Sequence, residues 1–335
     1  MTATTEMTGT NIIFNACLVV LTFAAGLVYR RIWRRLRGPE VTPSGFGVLL
    51  SFVLLGAAAA AGVSPELRAA LVVVAFASIV YWFDDVIELS AWLRILISFA
   101  AGIVIAIAFV FWNGAHSLLF ALGACLVVGF INVVLTNVVN FYDGADLNLA
   151  TFIALTAGLV LMFAPAQSDW VPIALACLAF VIPFAVMNSA PKTIYLGDSG
   201  SFVFASLLTL MAVSFFKDRQ SISPEVAIPA ALPAFDVFFV LLIRIREKHD
   251  LLTRNYLHLY QRLNRRYKGF GYLLPQLVNT VLCLAFAAAL QAAGLGNILS
   301  TIVAMTLVTI PFYFICRRFF LDGKAGGEPA TGPLP

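Results

Sequence analysis

Charged residues are scarce in this chain of 335 residues. Asp, Glu, Lys and Arg together make up 11% of it, whereas 61% of its residues are apolar. Soluble domains usually carry a charge on about a quarter of their residues, so this composition excludes a water-soluble globule. The apolar residues form long continuous runs, which excludes the short alternating segments of a membrane β-barrel. We therefore predict an all-α integral membrane protein, because helices satisfy their own backbone in lipid.

Histidine and cysteine are also rare, with three and five residues. The cysteines lie in or beside apolar runs without metal-site spacing, so we interpret them as packing residues. Nucleic-acid binding is not expected, because no soluble module combines basic and aromatic residues. No basic residue precedes the first apolar run, which argues against a cleavable signal peptide.

Eleven apolar runs approach the length that spans a bilayer core. With the N-terminus outside, eighteen Lys and Arg residues lie on the inner connections and three on the outer ones. This bias obeys the positive-inside rule and predicts a multi-pass protein of the cell inner membrane with a cytoplasmic C-terminus. We expect one helix-bundle catalytic domain over 1–322 and a disordered tail over 323–335. The runs lie near 11–29, 46–63, 68–83, 94–112, 117–137, 149–165, 170–187, 202–216, 226–243, 272–292 and 297–315.

Acidic residues lie at the ends of apolar runs, on connections predicted to be cytoplasmic. Asp84 and Asp85 end the third run, and adjacent carboxylates repel each other unless they share a cation or a proton. Asp198 follows the seventh run in a Gly-Asp-Ser-Gly segment at a helix start, which is typical of a metal or phosphate cradle. Helix capping is the alternative interpretation of both segments.

A polar stripe follows the fifth run. Asn137, Asn140, Asp143 and Asp146 recur every three residues, so a helical continuation would point them to one side. Amides and carboxylates together suit hydrogen bonds to a nucleobase, a ribose or a sugar. Interfacial capping is the alternative.

The ninth run is interrupted by Pro229, Pro233 and Asp236. Prolines break the helical hydrogen-bond ladder, and a carboxylate inside a span needs a partner or a wet cavity. We predict a proline-broken helix that lines a groove. A purely structural pair between Asp236 and an Arg or a hydroxyl is the alternative.

The longest polar connection, 244–271, follows the ninth run. Arg254, His258 and Arg262 are among its donors, and guanidinium and imidazolium groups suit a diphosphate. A topology anchor without a binding role is the alternative.

In this order, these connections resemble the motifs of the polyprenyl-phosphate N-acetylhexosamine-1-phosphate transferases, the family that includes bacterial phospho-N-acetylmuramoyl-pentapeptide transferase. The resemblance covers 37–266. Its segments are Asp84-Asp85, Asn137-x-x-Asn140-x-x-Asp143-Gly144, Asn188 before Leu196-Gly197-Asp198-Ser199-Gly200-Ser201, and Leu232-Pro233-x-x-Asp236. Two departures are that Leu147 follows Asp146 where the pattern has Gly, and that His258-Leu259-Tyr260-Gln261 replaces clustered histidines. The second departure argues against a muramoyl-pentapeptide substrate.

The resemblance implies an enzyme that moves a sugar 1-phosphate, of an N-acetylhexosamine type, from a UDP-sugar to a polyprenyl phosphate such as undecaprenyl phosphate. UMP would be released at the cytoplasmic face, as the first membrane step of surface polysaccharide synthesis. Mg²⁺, with Mn²⁺ as an alternative, is the implied cofactor; the oligomeric state, a homodimer included, is left open. The implied residues are Asp84, Asp85 and His258 for catalysis, Asp198 and Asp85 for the metal, and Asn137, Asn140, Asp143, Asp146, Asn188, Lys192, Asp236, Arg254 and Arg262 for substrate.

Two other classes share some of these features. A secondary transporter has broken helices and intramembrane acids near the midplane, but Asp236 is the one acid placed there by the predicted spans. A CDP-alcohol phosphotransferase shares the metal and phosphate chemistry, yet the sequence has no Asp-Gly-x-x-Ala-Arg run. Release of UMP would distinguish the proposed transferase from both.

Overall fold

The computed structural model describes residues 9–112, 117–189, 194–218, 221–248, 257–267 and 270–318. Within these ranges the regular structure is helical, which confirms the all-α prediction. The 3₁₀ segments are Pro224–Ala230 and Gly271–Leu273. The α-helices are α1 Gly9–Arg37, α2 Val48–Ala61, α3 Pro65–Ile87, α4 Ala91–Trp112, α5 Leu118–Tyr142, α6 Asn148–Phe163, α7 Trp170–Ser189, α8 Gly197–Lys217, α9 Ala231–Arg246, α10 Leu259–Arg266, α11 Leu274–Ala292 and α12 Asn297–Cys316.

Every predicted apolar run falls on a helix, but the helices differ in length. In the described part of the chain, nine helical segments are long and apolar enough to cross a membrane. The two shorter ones are α2, with 14 residues, and α6, with 16. At 1.5 Å per residue, α2 is about 21 Å long and falls short of a bilayer core. A polytopic membrane protein is supported, whereas eleven crossings and the orientation of the termini stay predictions.

The predicted proline break in the ninth run is present. Pro229 lies in the 3₁₀ segment Pro224–Ala230, and α9 begins directly after it at Ala231. Pro233 lies in the first turn of α9, where the missing N–H costs no helical hydrogen bond. The prolines therefore set the start of α9 and leave its remaining length regular.

The chain divides into two compact units. The first consists of Met1–Asn140 and Ala157–Ser223, and the second of Phe141–Thr156 and Pro224–Pro335. In the first unit, α3 packs against α2, α4 and α8, and α7 packs against α1 and α2. In the second unit, α12 packs against α11 and α9. A single catalytic domain over 1–322 stays a prediction.

A buried polar link joins α4, α5 and α8 in the first unit. Asn132 of α5 donates its amide N–H to the Ser98 carbonyl (2.8 Å) and accepts from the Thr209 hydroxyl (2.9 Å). A Cβ on Gly102 would lie 2.7 Å from Gly129 Cα, so small residues allow α4 and α5 to approach closely. Small residues and side-chain hydrogen bonds are the usual means of helix association in lipid.

Helices α3 and α8 are antiparallel neighbours with different polar groups at their two ends. Glu66, at the start of α3, forms an ion pair with Lys217 at the end of α8. Asp84 and Asp85, at the end of α3, lie beside Asp198 at the start of α8. One end of this helix pair therefore collects carboxylates, and this end carries the candidate site of the first unit.

Candidate functional site

Three of the predicted acidic residues lie together in the first unit. Asp198 donates its backbone N–H to Asp85 Oδ1 over 2.9 Å, although 113 positions separate the two residues. Arg94 Nη1 lies 3.0 Å from Asp198 Oδ2 and 3.6 Å from Asp84 Oδ2. The convergence that the sequence predicted for these three carboxylates is present.

Asp85 caps the start of α8 from another helix. Its Oδ1 accepts hydrogen bonds from the Ser44 hydroxyl (3.0 Å) and the Asp198 N–H (2.9 Å). Its Oδ2 accepts from the Ser199 N–H (3.2 Å) and the Ser199 hydroxyl (2.9 Å). A carboxylate at a helix N-terminus is stabilised both by the free N–H groups and by the helix dipole. The N–H groups that we predicted as a phosphate cradle are therefore bound to Asp85.

Residues 43–47, directly before α2, and the segment before α8 are joined through their backbones. Phe46 N–H donates to the Tyr195 carbonyl (3.2 Å), and Gly47 N–H donates to the Leu196 carbonyl (2.9 Å). In the opposite direction, Tyr195 N–H donates to the Pro43 carbonyl (2.7 Å). These bonds hold the loop that carries Ser44 against the segment that carries Asp198.

Glycines make this close approach possible. A Cβ on Gly47 would lie 2.1 Å from Gly200 Cα, and a Cβ on Gly197 would lie 2.2 Å from Asp85 Oδ1. Gly197 also has a φ of +76°, which side chains other than glycine rarely adopt. The Gly-Asp-Ser-Gly segment thus needs both of its glycines for packing and backbone conformation.

Asp84 differs from Asp85 in its hydrogen bonding. It is 4% exposed, and its Oδ1 accepts the Leu89 N–H. Its Oδ2 is buried and accepts no hydrogen bond, with Arg94 Nη1 at 3.6 Å as the nearby cation. Arg94 lies in the first turn of α4 and is one of the eighteen basic residues on the predicted inner connections, but it was not predicted as a site residue. The position of this arginine, shortly after Asp84 and Asp85 in the sequence, could have indicated that it lies near them.

A divalent cation fits this donor set. Among the described residues, no group of three or more His, Cys, Asp or Glu side chains is arranged to hold a metal by itself. Mg²⁺, however, usually takes one or two carboxylates and completes its shell with water and substrate phosphates. Asp84 and Asp198 supply two carboxylates, and Asp84 Oδ2 still needs a partner. Together with Asp85 and one arginine, the group has a formal charge of minus two.

The second unit contains a buried pair between two of the predicted residues. His258 Nδ1 lies 3.0 Å from Asp236 Oδ2, and the other oxygen of Asp236 accepts the Leu259 N–H at 3.0 Å. Asp236 is 1% exposed and His258 3%. The alternative interpretation of Asp236 was a structural pair with an arginine or a hydroxyl, and His258 is a buried partner that was not among these.

Tyr260 links the predicted His-x-Tyr-Gln segment to the turn after α5. Its hydroxyl donates to the Phe141 carbonyl over 2.6 Å, and a Cβ on Gly144 would lie 2.2 Å from this hydroxyl. Burial, followed by the charges of Asp236 and Asp143, raises the pKa of Tyr260 well above its ordinary value. The phenol therefore stays protonated and acts as a donor.

The polar stripe after the fifth run is helical only in part, because α5 ends at Tyr142. Asn137 and Asn140 lie on the helix, and Asn137 donates its amide to the Val133 carbonyl. Asp143 and Asp146 lie in the turn that leads to α6, and the Asp146 carbonyl accepts the Tyr272 hydroxyl. The helical spacing therefore stops before the two carboxylates.

The remaining predicted residues lie on α7, on α10 or outside the described residues. Asn188 is buried and donates its amide to the Ile194 carbonyl over 3.0 Å, which closes the connection between α7 and α8. Arg262 lies on α10. Lys192 and Arg254 lie outside the described residues.

Comparison with known families agrees with this geometry. Residues 67–216, which include Asp84, Asp85, Arg94 and Asp198, match the profile described as Glycosyl transferase family 4. Over these residues, which are fewer than half of the chain, the sequence is similar to glycosyl transferase family 4. The match confirms the resemblance derived from the motifs, and it supports a membrane transferase of phosphosugars that acts on a polyprenyl phosphate. A comparison with curated proteins found no match.

Proposed function

We propose that this protein transfers a sugar 1-phosphate, of the N-acetylhexosamine type, from a UDP-sugar to undecaprenyl phosphate and releases UMP. The observation that carries the proposal is that Asp84 and Asp198 converge on Arg94, with Asp85 bound to the Asp198 N–H, within the region that matches family 4. This arrangement combines carboxylates for a cation with a guanidinium for phosphate oxygens.

The location of these groups suits the two substrates. The acceptor is a lipid with an anionic head, and the donor is a soluble diphosphate, so both must meet where an apolar bundle opens to water. The acidic cluster lies at helix ends, and Asp198 remains 30% exposed at its side chain. A basic inner face, as the sequence predicts, would also raise the local concentration of both anions.

We assign the cation to Asp84 and Asp198, which changes the role predicted for Asp85. Both oxygens of Asp85 already accept two hydrogen bonds each, whereas Asp84 Oδ2 accepts none. Mg²⁺ bound there would neutralise charge on the diphosphate of the donor. Asp85 instead keeps Asp198 in place through the start of α8.

Arg94 is the protein's own cation at this position. It contacts both Asp84 and Asp198 and is 37% exposed at its side chain. Its planar guanidinium has further donors that suit phosphate oxygens. We assign it to the diphosphate of the donor. The roles that the resemblance implies for the other residues stay predictions: a substrate phosphate for His258, and the nucleotide and the sugar for Asn137, Asn140, Asp143 and Asn188.

The transfer itself needs little proton chemistry. An oxygen of the acceptor phosphate attacks the phosphorus that carries the sugar, the bond to the bridging oxygen of UMP breaks, and UMP leaves. A phosphate monoester has a second pKa near 6, so the acceptor is largely dianionic at neutral pH without a general base. Direct displacement is therefore favoured over a covalent aspartyl intermediate.

The proposal is tested with purified protein in nanodiscs that contain undecaprenyl phosphate. Adding Mg²⁺ and a panel of UDP-sugars should release UMP and form one lipid-linked product, and omitting the lipid should abolish both. Release of CMP from CDP-activated substrates would instead favour a CDP-alcohol phosphotransferase. Sugar flux into sealed vesicles without release of UMP would favour a secondary transporter. Exchange of labelled UMP into UDP-sugar without acceptor would contradict direct displacement.

A further inference from the structure

We propose that Asp236 is a positioning residue for His258: it accepts the Nδ1 proton, so that Nε2, when it is protonated as well, donates a hydrogen bond to a phosphate oxygen of the substrate. The nature of the substrate phosphate rests on the proposed function. The pairing of the two side chains is a property of the protein alone and can be measured separately.

The geometry commits Nδ1 to the carboxylate. His258 Nδ1 lies 3.0 Å from Asp236 Oδ2, and Asp236 Oδ1 accepts the Leu259 N–H at the same distance. Both oxygens of Asp236 are thus engaged with consecutive residues, 258 and 259. An ionised carboxylate only accepts hydrogen bonds, so Nδ1 carries the proton in this pair.

The ring of His258 is held by its neighbours as well. The Phe141 ring lies 5.9 Å from it at an interplanar angle of 29°, and the Tyr260 ring lies 6.0 Å away at 24°. Tyr260 is fixed in turn by its hydrogen bond to the Phe141 carbonyl and by Gly144. The ring plane of His258 is therefore set by packing, and its orientation within that plane is set by Asp236.

Asp236 is a buried carboxylate near the start of α9, and His258 is its partner. It lies one turn into α9, directly after the proline-set helix start, while His258 immediately precedes α10. A buried charge is costly unless it is paired and hydrogen-bonded, and this pair meets both conditions. Asp236 contacts His258 directly, so we infer that it acts on the substrate through His258.

Histidine-selective ¹⁵N NMR of the full-length protein in nanodiscs tests the pairing, with His258→Gln to assign the signals among the three histidines. The wild-type His258 spectrum should show a protonated Nδ1. In Asp236→Asn, the amide oxygen can keep the Leu259 N–H while the amide N–H turns toward Nδ1, which must then accept. The proton should therefore move to Nε2.

Kinetics tests the consequence for transfer. Asp236→Asn and His258→Gln should each lower UMP release about 100-fold, within the usual range for a proton-handling or charge-stabilising side chain. The double variant should be no slower than His258→Gln alone, because residues that act as one unit are not additive. An unchanged ¹⁵N spectrum in Asp236→Asn, or additive losses in the double variant, would overturn the proposal.

Tyr260→Phe is the matched control. It removes the hydrogen bond to the Phe141 carbonyl but leaves the aromatic ring and the Asp236–His258 pair. It should leave the His258 proton on Nδ1. If the proton moves in this variant too, its shift in Asp236→Asn would be explained by loosening of the segment around His258 and not by loss of the carboxylate. If no UDP-sugar is turned over while Asp236→Asn still moves the proton, the proposed function fails and the pairing stands.

Discussion

The two neighbouring aspartates at the end of α3 have different roles because their oxygens have different partners. Asp85 is saturated by four donors from Ser44, Asp198 and Ser199. Asp84 keeps one buried oxygen without a hydrogen bond, near Arg94. A hydrogen-bond acceptor that is already used cannot readily bind a cation, so the difference between adjacent residues decides which of them is a ligand.

This difference predicts separable effects of substitution. In Asp85→Asn, the new amide N–H would face N–H or hydroxyl donors, and we expect a loss of about 1–3 kcal/mol in stability together with reduced transfer. Asp198→Asn changes a partly exposed side chain and should keep the stability while transfer falls about 100-fold or more. Thermal unfolding in detergent and UMP release measure the two effects. The assignments would be contradicted if the two variants unfolded at the same temperature and if Mg²⁺ raised the unfolding temperature of neither of them.

At the scale of elements, the candidate site depends on two connections that approach each other backbone to backbone. Residues 43–47 and 195–196 exchange three hydrogen bonds, and Gly47 lies against Gly200 at the start of α8. The motif Gly-Asp-Ser-Gly could be recognised in the sequence, but its packing partner could not, because nothing local links it to a loop 150 positions earlier.

Gly47→Ala should therefore damage the site through packing alone. The added Cβ would lie 2.1 Å from Gly200 Cα, and overpacking of this kind usually costs about 1–3 kcal/mol. Gly56→Ala in α2 is the matched control, because its Cβ would meet nothing within 4 Å and alanine favours a helix by about 1 kcal/mol. We expect a lower unfolding temperature and weak UMP release for the first variant only. Wild-type behaviour of Gly47→Ala would refute the close contact.

For the whole molecule, the topology follows from the distribution of charge between the two ends of the helices. Eighteen Lys and Arg residues lie on the predicted inner connections and three on the outer ones, which predicts that the acidic cluster faces the cytoplasm. Glu66 and its ion pair lie at one end of α3, and Asp84 and Asp85 lie at the other end of the same helix. The two polar ends of this helix should therefore face different compartments.

Cysteine labelling tests this arrangement. Ser90, between α3 and α4, and Gln167, between α6 and α7, are both exposed. In a background without the five native cysteines, Ser90→Cys should react with a membrane-impermeant maleimide only after the cytoplasmic side is opened. Gln167→Cys should react from outside in intact cells. Reaction of both from the same side would contradict the predicted alternation and the cytoplasmic placement of the site.

The sequence by itself determined the class of the protein and the identity of most candidate residues. Apolar runs of bilayer length require helices, and short polar motifs at their ends stand out against an apolar background. It also located the break before α9, because proline acts on the local backbone. The role of each motif could not be derived in this way, since a carboxylate has the same residue type whether it caps a helix or binds a cation.

Tertiary structure decided the partners. It placed Arg94 between Asp84 and Asp198, used Asp85 to cap α8, and gave His258 to Asp236. These pairings join residues that are far apart in the chain, and they depend on which helix ends meet after packing. Hydrogen bonds and charges act over a few ångströms in space, so only the folded chain determines which donors each carboxylate meets.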